Sequence, residues 1–292
     1  MYLLIYLFKT DTILLISVNI QGGNKMNYGF LGAGNMNGAI IKGMIKNGID
    51  AKNIFVFDKI TSVTANLKEE CGINICLSQK ELLEKDVIIL GVKPQTLDII
   101  ASTIKDDIGD KKPLVISIAV GKTLSYLEEN LGSNLPLVRV MPNINAKVLM
   151  STSGYCTNSL LSPEQTEIVE KIFGSIGSVS AIAENMFSIF GVIAGSSPAF
   201  TYLYIDTLAR SAQKAGMPKE QALKIAASTV LGSAKMVLEA TDHPISLVDQ
   251  VCSPGGTTIE GIASLKNNGF EGTLLKAFDA VLEKDKAIQR KK

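Results

Sequence analysis

Two glycines one residue apart, Gly32 and Gly34, decide most of what this chain can fold into. They follow a short apolar run at 28–31 and precede a stretch at 35–47 with helical spacing of its apolar residues. A strand that turns sharply into a helix needs a residue without a side chain at the turn. A second glycine lets the backbone approach a ligand, and the helix start adds unbonded N–H groups and the positive end of its dipole. At the head of a βαβ series such a turn is built for a pyrophosphate. The third position of the fingerprint is Asn37 where Gly or Ala is usual, which puts a larger side chain where helix and sheet pack.

The series is present. Apolar runs at 28–31, 54–57, 87–92, 114–119 and 137–141 read as strands. Between them 35–47, 61–71, 79–84, 95–105 and 124–131 read as helices. Strands alternating with helices at this spacing give a parallel sheet covered on both faces. A helix at 164–173, started by Ser162-Pro163, and a strand at 179–182 follow. After Glu184 the texture changes: 187–194, 199–215, 219–240 and 274–290 are all helix-like. Gly216 closes one of these helices and Pro218 suits the first turn of the next. Small residues such as Ala209, Ala212, Ala226 and Gly232 let helices approach closely, which favours an oligomer through this half.

Composition removes several classes of function. Lys and Arg number 29 against 28 Asp and Glu, so there is no basic excess for nucleic acid. Only Arg139, Arg210 and Arg290 carry guanidinium groups, so anions are better held by backbone N–H groups and helix ends than by Arg forks. Four cysteines without a CxxC pair and the single His243 exclude a Cys/His zinc site, and no metal is expected. His243, between Asp242 and Pro244, reads as a turn residue rather than a catalytic base. Without a disulfide framework the cytoplasm is the default location. Residues 1–25 hold two apolar runs broken by Lys9-Thr10-Asp11-Thr12, each far short of the roughly 20 residues that span a bilayer, so no membrane partner is expected. This segment is read as a non-native upstream extension or a disordered leader, with Met26 as the true start.

Two further places carry chemistry. The second strand ends in Asp58-Lys59, where an acidic residue meets the ribose hydroxyls of NAD and a cation suits the 2′-phosphate of NADP. Both cofactors stay open, as does a plain solvated turn. Val92-Lys93-Pro94 stands at the carboxyl edge of the expected sheet, beside the cofactor crevice. Ser253-Pro254-Gly255-Gly256-Thr257-Thr258 makes a tight turn followed by a helix, with hydroxyls at its start. That is a nest for a carboxylate needing no Arg, or simply a capped helix.

Gly-Ala-Gly-Asn-Met at 32–36, Val92-Lys93-Pro94, Arg139-Val140-Met141-Pro142-Asn143, Gly195-Ser196-Ser197-Pro198-Ala199-Phe200, His243-Pro244 and the 253–258 turn occur in this order. Together they resemble pyrroline-5-carboxylate reductase, from residue 26 to about residue 288. The resemblance implies an α/β fold: an N-terminal Rossmann-type dinucleotide-binding domain over 26–184, then an all-helical dimerisation and substrate-binding domain over 185–292. It implies NADPH- or NADH-dependent reduction of 1-pyrroline-5-carboxylate to L-proline by a homodimer, with a decamer built from dimers as the larger form. Leu31, Gly32, Ala33, Gly34, Asn35, Met36, Val92, Lys93, Pro94 and Ala119 would line the cofactor, and Asn143 would lie near the nicotinamide. Ser253, Gly256, Thr257 and Thr258 would hold the substrate, Thr258 as the catalytic residue donating to the ring nitrogen. Glu184 matches an acidic residue near the substrate in the partner subunit.

The chain departs from the family pattern at Ser197, which replaces a glycine, at Phe200, which replaces a tyrosine, at Ile144-Asn145, which replaces Thr-Pro, and at Gln250 and Cys252. These changes keep open a reductase of a different cyclic imine, and a regulatory homologue without turnover. A β-hydroxyacid dehydrogenase would carry a catalytic Lys early on the long helix. Here the first Lys after Glu184 is Lys214, too far along.

Overall fold

The computed structural model describes residues 2–9, 12–19 and 26–289; residues 1, 10, 11, 20–25 and 290–292 lie outside the described part. The expected start around Met26 turns on the segment before it, and the expected helix end at Arg290 also falls outside. Strands β1 (Tyr2–Lys9) and β2 (Thr12–Asn19) pair antiparallel with each other, Tyr2 opposite Asn19 and Lys9 opposite Thr12. The reading of residues 1–25 as a non-native extension or a leader stays an expectation. Two runs of strand length joined by a polar link are the pattern of a hairpin.

The main sheet has eight strands: β3 (Tyr28–Leu31), β4 (Ile54–Phe57), β5 (Asn74–Ile75), β6 (Val87–Leu90), β7 (Leu114–Ser117), β8 (Leu137–Met141), β9 (Ser151–Thr157) and β10 (Gly177–Ala181). Their spatial order is β10-β9-β8-β7-β6-β3-β4-β5. Every pair is parallel except β8 with β9, where Val138 faces Thr157 and Met141 faces Gly154. The chain runs outward from β3 through β4 and β5, then returns to β6 on the other side of β3. That reversal opens a crevice at the carboxyl ends of β3 and β6.

Side-chain alternation splits the core between the two faces of the sheet. Tyr28, Phe30, Val87, Ile89, Leu114 and Ile116 join one cluster, with α1 (Asn35–Lys46), α2 (Thr61–Cys71) and α6 (Pro163–Gly174) on that side. Leu31, Ile88, Leu90 and Val115 point the other way, to α3 (Gln79–Leu82), α4 (Pro94–Ile108) and α5 (Leu124–Leu131). The central strands are buried on both faces, which is why they read as continuous apolar runs. Most of them end at the expected places, but β6 and β7 end two residues early, at Leu90 and Ser117. The sequence reading missed the two-residue β5 and the longer β9. The Ser151-Thr152-Ser153-Gly154 start of β9 lacks apolar residues, and its hydroxyls are satisfied internally, Ser151 Oγ lying 3.2 Å from Ser153 Oγ.

The second half is helical: α7 (Phe187–Phe190), α8 (Ser197–Lys214), α9 (Lys219–Glu239), α10 (Pro244–Val251), α11 (Thr257–Asn267) and α12 (Phe270–Gln289). Helices expected separately at 187–194 and 199–215 form one continuous helix, Glu184–Lys214. It passes through Pro198 because the backbone widens to π geometry over Gly191–Ser196. Long and apolar enough to cross a membrane by composition, this helix packs its first turns on α12. His243 caps α10, its Nδ1 accepting the Ile245 N–H at 3.2 Å, so its turn reading extends into a helix that the sequence does not announce. Inside this half the core is small, with Ala209, Ala222 and Ala226 between α8 and α9, while Leu203, Leu231, Val237, Leu238 and Leu275 stay exposed.

Candidate functional site

The glycine turn sits at the carboxyl end of β3. Gly32 has φ +97°, a conformation a side chain strains, and an added Cβ would lie 3.1 Å from the Gly91 carbonyl oxygen. Gly34 caps α1 without a side-chain bond, so the first-turn N–H groups of Asn35, Met36 and Asn37 have no intrahelical acceptor. A Cβ on Gly34 would meet nothing within 4 Å, so the open side of the turn is clear of protein. Orphan donors, a helix N-terminus and an unobstructed approach fit a pyrophosphate.

Asp58 is committed to this turn. Its Oδ2 accepts the Ala33 N–H at 2.8 Å and its Oδ1 accepts the Ile60 N–H at 2.9 Å. The carboxylate braces the loop with one bond to each oxygen, and further acceptor sites remain on both. Lys59 is exposed beside it. Val92, Lys93 and Pro94 lead from β6 into α4, with Lys93 exposed and Pro94 in the first turn. Ala119 is buried just after β7. Thus Leu31, Gly32, Ala33, Gly34, Asn35, Met36, Val92, Lys93, Pro94 and Ala119 converge on the ends of β3, β6 and β7.

Asn143 lies just past β8 and is buried. Its Nδ2 donates to the Ala194 carbonyl at 2.9 Å, and its Oδ1 accepts from the N–H groups of Asn145 and Thr152. Ser197, which stands where the family pattern has glycine, is accommodated: its hydroxyl donates to the Ile193 carbonyl.

A cavity of about 880 Å³ opens at the ends of β7 and β8, lined in part by Lys122, Arg139, Glu184, Asn185 and Phe187. Arg139 is buried, donates to Glu184 Oε1 at 3.0 Å and stacks 4.2 Å over the Phe187 ring. Glu184 Oε1 also accepts the Leu124 N–H at 2.7 Å. The buried Lys122 pairs with Asp98, which accepts the Tyr126 hydroxyl at 2.6 Å. Burial, then the bond to and charge of Asp98, push the Tyr126 hydroxyl far above its ordinary range, so it stays a donor. Sequence reasoning passed over Lys122, Asp98 and Tyr126. Only the short spacing of Lys122 and Tyr126 at a strand exit hinted at them.

The 253–258 turn is elsewhere. Gly256 N–H bonds the Ser253 carbonyl at 3.0 Å, Gly255 has φ +68°, and α11 starts at Thr257. A Cβ on Gly256 would lie 2.4 Å from Ser253 Oγ, so only glycine lets that hydroxyl close over the turn. Ser253, Thr257 and Thr258 are exposed, and none of these residues lines the 880 Å³ cavity.

Comparison with known proteins decides the family. Residues 184–288 match the model for pyrroline-5-carboxylate reductase dimerisation, and residues 27–121 match the model for NADP oxidoreductase, coenzyme F420-dependent. The pyrroline-5-carboxylate reductase of Escherichia coli K12 is 39% identical over 264 residues, 90% of this chain and 98% of that protein. This chain belongs to the pyrroline-5-carboxylate reductase family. Two solved members superpose closely. The Coxiella burnetii pyrroline-5-carboxylate reductase has TM-score 0.85 at 33% identity, covering 90% of this chain and 98% of that one. The Plasmodium falciparum pyrroline carboxylate reductase, solved with NADP bound, has TM-score 0.80 at 31% identity, covering 92% and 100%. A Rossmann-like α/β domain followed by the family's helical dimerisation domain is therefore the architecture of this pyrroline-5-carboxylate reductase family member.

Proposed function

We propose that this protein reduces 1-pyrroline-5-carboxylate to L-proline with NADPH or NADH, the last step of proline synthesis, as a cytoplasmic homodimer able to build a decamer. The observation that carries the reading is the pairing, in one chain, of an open glycine turn with orphan N–H groups and a hydroxyl-bearing turn at the start of α11. The division into 26–184 for the cofactor and 185–292 for dimerisation and substrate follows from it. Free cysteines at 71, 76, 156 and 252 support a reducing compartment.

When bound, the reduced nicotinamide supplies a hydride to the C=N carbon of the substrate. The protein's own part is placement. Gly34, Asn35 and Met36 present N–H groups to the pyrophosphate, Gly32 and Ala33 shape the turn, and Leu31, Val92, Lys93, Pro94 and Ala119 form the edges of the crevice. Asn143 sets the wall beside the nicotinamide through its bonds to Ala194, Asn145 and Thr152. Ser253, Gly256 and Thr257 cradle the carboxylate with backbone N–H groups and hydroxyls, which suits a chain poor in Arg. Thr258 directs its hydroxyl at the ring nitrogen. A threonine hydroxyl is too weak an acid to drive protonation, so its role is to orient the nitrogen and the proton it receives.

Because the 253–258 turn is exposed, the homodimer is what brings it to a partner's cofactor edge, with the partner's Glu184 on the substrate side. The exposed apolar residues of α8, α9 and α12 support that assembly. Lys59, exposed beside Asp58, is a charge suited to a 2′-phosphate, which favours NADPH. The test is loss of 340 nm absorbance with 1-pyrroline-5-carboxylate and NADPH or NADH in parallel. Rapid oxidation, faster with NADPH, is expected. A folded protein that binds NADPH without oxidising it contradicts the reading.

A further inference from the structure

The third fingerprint position is where this chain breaks its own rule. Asn37 is 1% exposed, in the first turn of α1, where a small residue normally lets helix and sheet close. Its Nδ2 donates to the Gly32 carbonyl at 2.7 Å, with the Leu31 carbonyl at 3.4 Å. Its Oδ1 is buried with no hydrogen-bond partner. The room for this amide comes from the second cofactor loop. A Cβ on Gly91 would lie 2.2 Å from Asn37 Nδ2 and 2.4 Å from its Oδ1.

A buried acceptor without a donor costs stability. Glycine or alanine at 37 would remove that cost and restore ordinary packing, so the benefit of the amide lies in what it holds. Gly32 is fixed on three sides: its N–H bonds the Phe57 carbonyl at 2.8 Å, its carbonyl is held by Asn37, and the next N–H, of Ala33, is held by Asp58. Those bonds orient the peptides that lead to Gly34 and the free N–H groups of α1. The same side chain lies against Gly91, next to Val92.

We infer that Asn37 is a positioning residue for the dinucleotide: it locks the Gly32 turn and couples it to the second cofactor loop at Gly91. It acts through the backbone and touches no reacting atom. The role rests on the cofactor reading above.

The experiment compares the full-length protein with Asn37→Ala, and with Asn37→Asp, which keeps the shape but loses the donor. NADPH affinity is measured by calorimetry, kcat and KM by 340 nm absorbance, and the cofactor-free Tm by thermal melting. The NADPH Kd and KM rise about tenfold or more in both variants, and saturating NADPH restores kcat to within about twofold. The cofactor-free Tm of Asn37→Ala stays level or rises. Gly91→Ala weakens NADPH binding in the native background and does so much less beside Asn37→Ala, the non-additivity of two groups in contact. Affinity within about twofold of native in both variants overturns the role. So does a Tm that falls with affinity, or failure of both variants to fold, since Asn37 is then a core residue only. Native protein that binds no NADPH removes the cofactor reading itself, a result distinct from native and variant proteins binding alike.

Discussion

Pro198 stands four residues after Ala194 inside a continuous helix and has no N–H to close that turn. The Asn143 amide supplies the missing donor to the Ala194 carbonyl. A residue expected beside the nicotinamide thus also secures the helix that begins the second half of the chain. Asn143→Ala orphans that carbonyl and should cost about 1–3 kcal/mol, seen as a Tm lower by roughly 3–8 °C in thermal melting. Thr258 is the opposite case. It is exposed and its side chain has no bond within the chain's core, so Thr258→Ala should leave Tm unchanged. Its kcat should fall roughly 5–100-fold, the cost of the one hydrogen bond proposed for it at the ring nitrogen. Steady-state kinetics beside a melt separates the two roles.

At the scale of elements, the β3–α1 turn depends on backbone shape more than on side chains. Gly32→Ala forces a Cβ onto φ +97° and toward the Gly91 carbonyl. Strain of about 1–3 kcal/mol is expected, with a KM for NADPH raised about tenfold, measured with saturating 1-pyrroline-5-carboxylate. This turn was legible in the sequence because glycine spacing encodes the conformation directly. The central strands were legible because burial on both faces leaves a continuous apolar run. Strand β9 was not, since its small hydroxyl residues are strand-like only once Asn143 and its own serines satisfy them. The Arg139–Glu184 and Lys122–Asp98–Tyr126 pairings join residues 45, 24 and 28 positions apart, a proximity that periodicity does not carry. The 253–258 turn was legible as a tight turn ahead of a helix, because Pro-Gly-Gly encodes that backbone directly.

The molecule as a whole pairs a deep two-sided core in the first half with a thin alanine-rich core in the second. The helical half, which matches the family's dimerisation model, leaves much apolar surface that the proposed homodimer would cover. The first half carries a distinct alkaline sensitivity. Burial pushes the Cys76 thiol up to about 11 and the Cys156 thiol to about 12, both with added repulsion from a neighbouring glutamate. Burial and the bond to Glu170 push the Tyr155 hydroxyl up to about 12. Each group keeps its proton in the folded state at a pH where the unfolded chain has released it. Their contribution is fully present below about pH 9 and is lost as pH rises toward 11–12. Tm measured from pH 8 upward should hold steady and then fall above about pH 9, and Cys156→Ser should make that fall shallower.

Hydride delivery to the imine is the step on which the proposed activity depends most directly. Full-length protein would be given 1-pyrroline-5-carboxylate and NADPH carrying deuterium on the transferring face of nicotinamide C4, and the product examined by mass spectrometry and NMR. The predicted result is L-proline with one deuterium at the former C=N carbon. Unlabelled proline, or no proline from protein shown to bind NADPH, would contradict it.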